Sequence, residues 1–131
     1  MYFTSVLDCA APLTILVTED DEDSRELYVE VLKHAGFVVR GVADVAAARA
    51  VLEKLKVDVL VADYSMPDGS AADLMTLCRA AAPKVCILLT GHDAHDVDAT
   101  GFHVVLTKPV TGDALVKAIH AYVPRPGLNS D

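Results

Sequence analysis

Two adjacent acids, Glu19 and Asp20, open an acidic run that continues through Asp21, Glu22 and Asp23. A lone acid, Asp63, stands far downstream, followed by Thr90 and then by the pair Lys108-Pro109. Each of these follows a short apolar run, and the runs read as strands. In open α/β sheets ligands bind beyond the carboxyl ends of the strands, so carboxylates, a hydroxyl and an ammonium are expected at one rim. Carboxylates gathered in one crevice repel one another and raise each other's proton affinity. A hard divalent cation resolves this: Mg2+ takes oxygen ligands, uses one or two carboxylates and keeps waters for a phosphate partner. Lys108 offers charge and Thr90 a hydrogen bond to phosphoryl oxygens. The set reads as Mg2+-assisted phosphoryl transfer to or from a carboxylate. Asp63 is the expected nucleophile because it stands alone after the central strand, while the pair after the first strand suits metal.

The elements that must position these groups alternate. Five apolar runs cover 13–18, 37–42, 57–62, 85–89 and 102–106. Helix-period segments lie between and after them. The first has Leu27, Val31 and Ala35 at a spacing of four, with Tyr28 and Leu32 beside them, and stops at Gly36. The second, capped by Asp44, carries Ala48, Val51, Leu52 and Leu55. The third follows Met66-Pro67-Asp68-Gly69, carries Leu74, Leu77, Cys78 and Ala81, and ends at Pro83. The last starts at Thr111 and presents Leu115, Ala118, Ile119 and Tyr122. Alternation of this kind implies an α/β fold: a parallel sheet covered by helices on both faces, open and doubly wound at this length. A closed eight-stranded barrel needs about 250 residues.

Composition narrows the function. The chain has 131 residues, 11 Lys+Arg and 19 Asp+Glu, for a net charge of −8. That length suits one domain of about 100–150 residues. The acidic balance argues against nucleic acid, which calls for a basic patch, and against anchoring on anionic lipid. No apolar run reaches the ~18–20 residues of a membrane span, and the N-terminus lacks the charge pattern of a signal peptide. Cys9, Cys78 and Cys86 form no C-x-x-C pair and read as reduced thiols of a cytoplasmic protein.

Four motifs in order carry a resemblance. They are Ile15-Leu16-Val17-Thr18-Glu19-Asp20-Asp21, Asp63-Tyr64-Ser65-Met66-Pro67-Asp68-Gly69, Leu88-Leu89-Thr90-Gly91 and Leu106-Thr107-Lys108-Pro109. Over about residues 13–123 the chain resembles the receiver domain of bacterial two-component response regulators. The resemblance implies a flavodoxin-like sheet of order 2-1-3-4-5. It makes Asp63 the phospho-acceptor, with Asp20 on Mg2+ directly (Mn2+ as the alternative ion), Glu19 through water and the Ser65 backbone carbonyl as a further ligand. Thr90 and Lys108 would contact the phosphoryl group, and the Lys108–Pro109 bond would be cis. The donor would be a phosphohistidine on a histidine kinase or a histidine phosphotransfer protein.

Two departures accompany the resemblance. Val105 stands where the family usually has Tyr or Phe, three residues before the Lys, which puts the usual Thr–aromatic output switch in doubt. Only ten residues separate Thr90 from Gly101, so a short or distorted fourth helix is expected. His92 and Ser65 would border the route of the water that hydrolyses the aspartyl phosphate and so set its lifetime. His92, Asp93, His95, Asp96 and Asp98 read as a solvated loop rather than a second metal site, and Phe102 and His103 as packing or solvent-facing residues.

Three rival readings fit the sequence less well. A flavin carrier needs a hydroxyl- and Gly-rich loop after the first strand, where this chain has Glu19-Asp20-Asp21. A Mg2+-dependent aspartyl-phosphate hydrolase places its nucleophile after the first strand in an Asp-x-Asp spacing. A degenerate receiver that only binds partners would lack the intact acidic, Thr and Lys set. The expectation is therefore a signalling phospho-acceptor, not an enzyme in the turnover sense, with an N-terminal extension over 1–12, the receiver over 13–123 and a tail over 124–131 without an effector domain. Its output would be contact with a separate, unknown protein target, or onward phosphotransfer.

Overall fold

The computed structural model describes residues 12–70, 73, 75–76, 79, 83–91 and 101–122. Strand β1 (Thr14–Thr18) leads to helix α1 (Glu22–His34), and β2 (Val38–Val42) to α2 (Val45–Lys54). Strand β3 (Val59–Asp63) is followed by two short strands, β4 (Ser65–Met66) and β5 (Gly69–Ser70). Then come β6 (Val85–Thr90), β7 (Val104–Thr107) and α3 (Gly112–Tyr122). The main sheet has the order β2-β1-β3-β6-β7, all parallel, which is 2-1-3-4-5 in terms of its five members. The doubly wound fold is thus as expected. Asp73, Met75, Thr76 and Arg79 are helical. The expected apolar positions Leu74, Leu77, Cys78 and Ala81 lie outside the described residues, as do His92 and the expected fourth helix.

Local chemistry explains the elements. β3 and β6 are buried along their whole length, which is why they read as unbroken apolar runs. The α1 helix starts at Asp21, whose side chain accepts from Ser24 N at 2.9 Å, and carries Glu22 and Asp23 in its first turn and Lys33 and His34 in its last. Gly36 closes it with φ of +100°, a conformation that other residues avoid. Asp44 caps α2 by accepting from Ala47 N at 2.7 Å, and Thr111 Oγ1 caps α3 by accepting from Ala114 N at 3.1 Å.

Two apolar layers flank the sheet. On one side Ile15, Val17, Val59, Val61, Ile87 and Leu89 meet Tyr28 and Leu32 of α1 and Leu115 and Ile119 of α3. On the other, Leu16, Leu60, Ala62 and Cys86 meet Val45 and Ala48 of α2, together with Met66 and Met75. Three expected core positions are corrected. Leu27 is 53% exposed, so α1 buries the Tyr28/Leu32 row instead. Tyr122, the last residue of α3, is 51% exposed. Leu55 is exposed because α2 ends at Lys54 and Leu55 turns extended.

Candidate functional site

Glu19 follows β1 directly, and its backbone N donates to Val42 O of the neighbouring strand at 3.0 Å. That bond fixes the start of the β1–α1 loop. Arg25, one turn into α1, braces the same loop: its Nη1 donates to Glu19 O at 2.9 Å and to Asp20 O at 3.5 Å. Asp21 N donates to Glu19 Oε2 at 3.2 Å. Asp21, whose role the sequence left open, is the cap of α1, and its bonds from Ser24 hold its carboxyl below the usual range.

Asp63 ends β3 and is buried. Its register partner on β6 is Leu89, so Thr90, fully buried, stands one residue further along. Thr90 O accepts from Lys108 N at 2.7 Å, which seats the lysine just beyond β7. The Lys108–Pro109 bond is cis, as expected, and Pro109 is exposed. Lys108 Nζ bridges two carboxylates, Glu19 Oε1 at 3.0 Å and Asp63 Oδ2 at 3.1 Å. Residues 89 positions apart in sequence thus meet at one rim.

The electrostatics follow from burial. Glu19 is only 1% exposed, and its removal from water pushes its carboxyl up to about 7 against the opposing bond from Lys108. The facing Asp63 carboxylate pushes the same way. Burial pulls Lys108 down, but its bonds to Glu19 and Asp63 outweigh that and raise it, so the ammonium stays charged.

An oxygen from each of Glu19, Asp20 and Asp63 lies within 4.8 Å of the others, with Asp20 exposed and the other two buried. Three hard oxygen donors, open to solvent on one side, fit a hydrated divalent cation such as Mg2+. Ser65 sits in β4, two residues past Asp63. Val105, half-buried, pairs with Leu88 between Val104 and Leu106, which pack on the α1/α3 layer. His92 is outside the described residues. His103 is structural: its Nδ1 accepts from Cys86 N at 2.9 Å and its N donates to Cys86 O at 2.8 Å, at the opposite end of β6 from Thr90. Cys86 itself is buried. The sequence did not reveal Arg25 as a brace, because an arginine on a helix turn carries no spacing signal for the loop before it.

The family model for the response regulator receiver domain matches residues 15–120. The chain belongs to the receiver domain family. Among curated relatives, this receiver is 27% identical over 124 residues to the "Probable transcriptional regulatory protein TcrX" of Mycobacterium tuberculosis, covering 91% of this chain and 53% of that one. It is 31% identical over 120 residues to a protein of Leptolyngbya boryana described as "Uncharacterized 14.6 kDa protein in sodA1 3'region", with 86% and 91% covered. The receiver therefore spans about half the length of the first of these relatives. Among solved structures, a receiver domain protein from Clostridium thermocellum superposes with a TM-score of 0.75 at 28% identity, covering 86% of this chain and 95% of that one. The receiver domain of sensor histidine kinase PA1611 from Pseudomonas aeruginosa PAO1, with a magnesium ion coordinated in its active site cleft, superposes with a TM-score of 0.77 at 23% identity, covering 86% and 98%. Among the described residues, no helix is long and apolar enough to cross a membrane.

Proposed function

We propose that this receiver takes a phosphoryl group onto Asp63 from the phosphohistidine of a histidine kinase or a histidine phosphotransfer protein. The observation that carries the reading is the Lys108 ammonium held at 3.0 and 3.1 Å between Glu19 and Asp63, with Asp20 completing an oxygen cluster. An Asp63 oxygen attacks phosphorus in line with the leaving imidazole. The new O–P bond forms as the N–P bond breaks, and the imidazole nitrogen keeps the electron pair and takes a proton. Asp20, Asp63 and the Ser65 carbonyl would hold Mg2+, or Mn2+ in its place, with Glu19 acting through water. When bound, that ion neutralises charge on the phosphoryl oxygens. Lys108 is already charged and aimed at the acceptor, so it needs no reorganisation to meet the incoming oxygens. Thr90, at the end of β6, supplies a hydroxyl to the same group.

Hydrolysis of the aspartyl phosphate returns the receiver to rest, and substitutions at Ser65 and His92 should change its rate. Output is a population shift between two conformers, read by a protein target or passed on by further phosphotransfer. With Val105 in the usual aromatic position, that shift does not run through a Thr–aromatic pair.

The test uses acetyl phosphate as donor and intact mass as readout. Mg2+ should produce an adduct of one phosphate, and EDTA should prevent it. Lys108→Ala should slow its formation by about 100-fold, the usual cost of one preorganised donor to a developing charge. Full adduct formation in Lys108→Ala would remove the lysine from the reaction.

A further inference from the structure

The segment after Asp63 closes on itself. Ser65 pairs with Ser70 and Met66 with Gly69, which leaves Pro67 and Asp68 as the tip of a small antiparallel loop. The base of this loop is held by Tyr64 N, which donates to Leu89 O at 2.7 Å. Its middle is held by Met66, buried in the α2-side layer. The tip is held by a different kind of contact. Val45 N donates to Asp68 Oδ1 at 2.8 Å, and Ala46 N donates to Asp68 Oδ2 at 3.0 Å.

These two donors belong to the first turn of α2, whose N–H groups have no partner inside the helix. Asp44, the N-cap, takes Ala47 N. The helix is thus capped twice, once by its own flanking residue and once by the loop that carries the acceptor. Both oxygens of one carboxylate are engaged, which fixes orientation as well as distance. The fit around the tip is close. A Cβ on Gly69 would stand 2.8 Å from Asp73 Oδ2 and 3.1 Å from Val45 Cγ2. The bond from Val45 is the main cause that holds the Asp68 carboxyl below the usual range, so the clamp is ionised at neutral pH.

We propose that Asp68 is a positioning residue for phosphoryl acceptance, clamping the acceptor loop onto α2 so that the Ser65 carbonyl and Asp63 keep a fixed relation to Glu19 and Asp20. The inference rests on the phospho-acceptor reading above. Without the clamp the tip of the loop is free to swing, and small misplacements of reacting groups cost rate steeply. The clamp also joins the acceptor loop to α2, so a shift of the loop on phosphorylation pulls on the N-terminus of that helix.

The experiment separates positioning from capping. Asp68→Ala and Asp44→Ala each remove one cap from α2, so both lower the thermal midpoint. Of these two caps, only Asp68 belongs to the loop. Mg2+ affinity is measured by calorimetric titration, and adduct formation from acetyl phosphate by intact mass. Asp68→Ala should weaken Mg2+ binding and slow adduct formation by about 10-fold, the usual effect of losing a residue that orients metal ligands. Asp44→Ala should leave both unchanged at an equal loss of thermal midpoint. Asp68→Asn, which keeps one carbonyl acceptor, should recover part of the loss. Wild-type Mg2+ affinity and rate in Asp68→Ala, or equal losses in Asp68→Ala and Asp44→Ala, would overturn the positioning role alone. A wild-type chain that takes up neither Mg2+ nor phosphate would overturn the phospho-acceptor reading and the positioning role with it.

Discussion

Between the sheet and helices α1 and α3 lie Ile15, Val17, Val59, Val61, Ile87, Leu115 and Ile119, branched aliphatic side chains with few rotamers. Between the sheet and α2, the branched Leu16, Val45, Val57 and Leu60 are joined by Ala48, Ala62, Met66, Met75 and Cys86, which are small or flexible. The contrast extends to the glycines. On the first side Gly112 lets α3 approach α1 so closely that an added Cβ would meet Val31 Cγ1 at 2.6 Å. On the second, Gly101 adopts φ of +92° against Met75. The acceptor loop is rooted in the second side, through Met66 and through Asp68 on α2. The difference teaches where the molecule can adapt: the layer under α1 and α3 is mostly stiff branched side chains, and the layer under α2, which roots the acceptor loop, mixes these with small and flexible ones.

The largest test of this difference is Ile119→Ala, which empties a fully buried site in the stiff layer. It should cost about 2–5 kcal/mol in chemical denaturation, while the folded fraction keeps its rate of adduct formation. Met75→Leu, in the adaptable layer, should cost less than about 1.5 kcal/mol because volume is nearly conserved. A larger loss there than in Ile119→Ala would reverse the comparison. Gly112→Ala should cost about 1–3 kcal/mol through overpacking against Val31. Thr18 sharpens the picture in the opposite direction. Among the described residues its Oγ1 is buried without a hydrogen-bond partner, and alternation along β1 puts it on the α2 side with Leu16. Thr18→Val should therefore gain on the order of 1 kcal/mol.

Dependence on pH tests the site itself. Glu19 binds its proton more tightly folded than unfolded, with a value raised from 4.5 to about 7. In the metal-free protein the unfolded state therefore holds fewer protons across that window, and stability falls as pH rises from about 4.5 to about 7. Thermal midpoints in EDTA across that range, with Glu19→Gln as the flat control, would show it. Asp68 runs the other way. Its carboxyl lies below the unfolded value of 3.8, so its contribution is complete above that pH and fades as pH falls through the lowered value. The gap in midpoint between wild type and Asp68→Ala should close in acid.

The strands were legible because buried parallel strands are apolar throughout, and the site was legible because its members directly follow those strands. Glu19, Asp63, Thr90 and Lys108 needed only the sheet order to meet. The buried row of α1 was not legible. Leu27/Val31 and Tyr28/Leu32 share the same spacing of four, and only the packing of Leu32 onto the sheet decides between them. Asp68 and Arg25 were hidden for a related reason. A cap supplied from 22 and 23 residues away, or a brace from a helix onto the preceding loop, exists only once the elements are docked. Local sequence records an N-cap such as Asp44 but not a second cap arriving from elsewhere in the fold.

The central claim is that Asp63 forms an acyl phosphate in a Mg2+-dependent reaction. Treatment with acetyl phosphate and Mg2+, followed by borohydride reduction and peptide sequencing by mass spectrometry, tests it directly. Reduction converts an aspartyl phosphate to homoserine, so the account predicts homoserine at position 63, absent in EDTA and in Asp63→Asn. Homoserine at another acid, or none at position 63 while Mg2+ is bound, would contradict it.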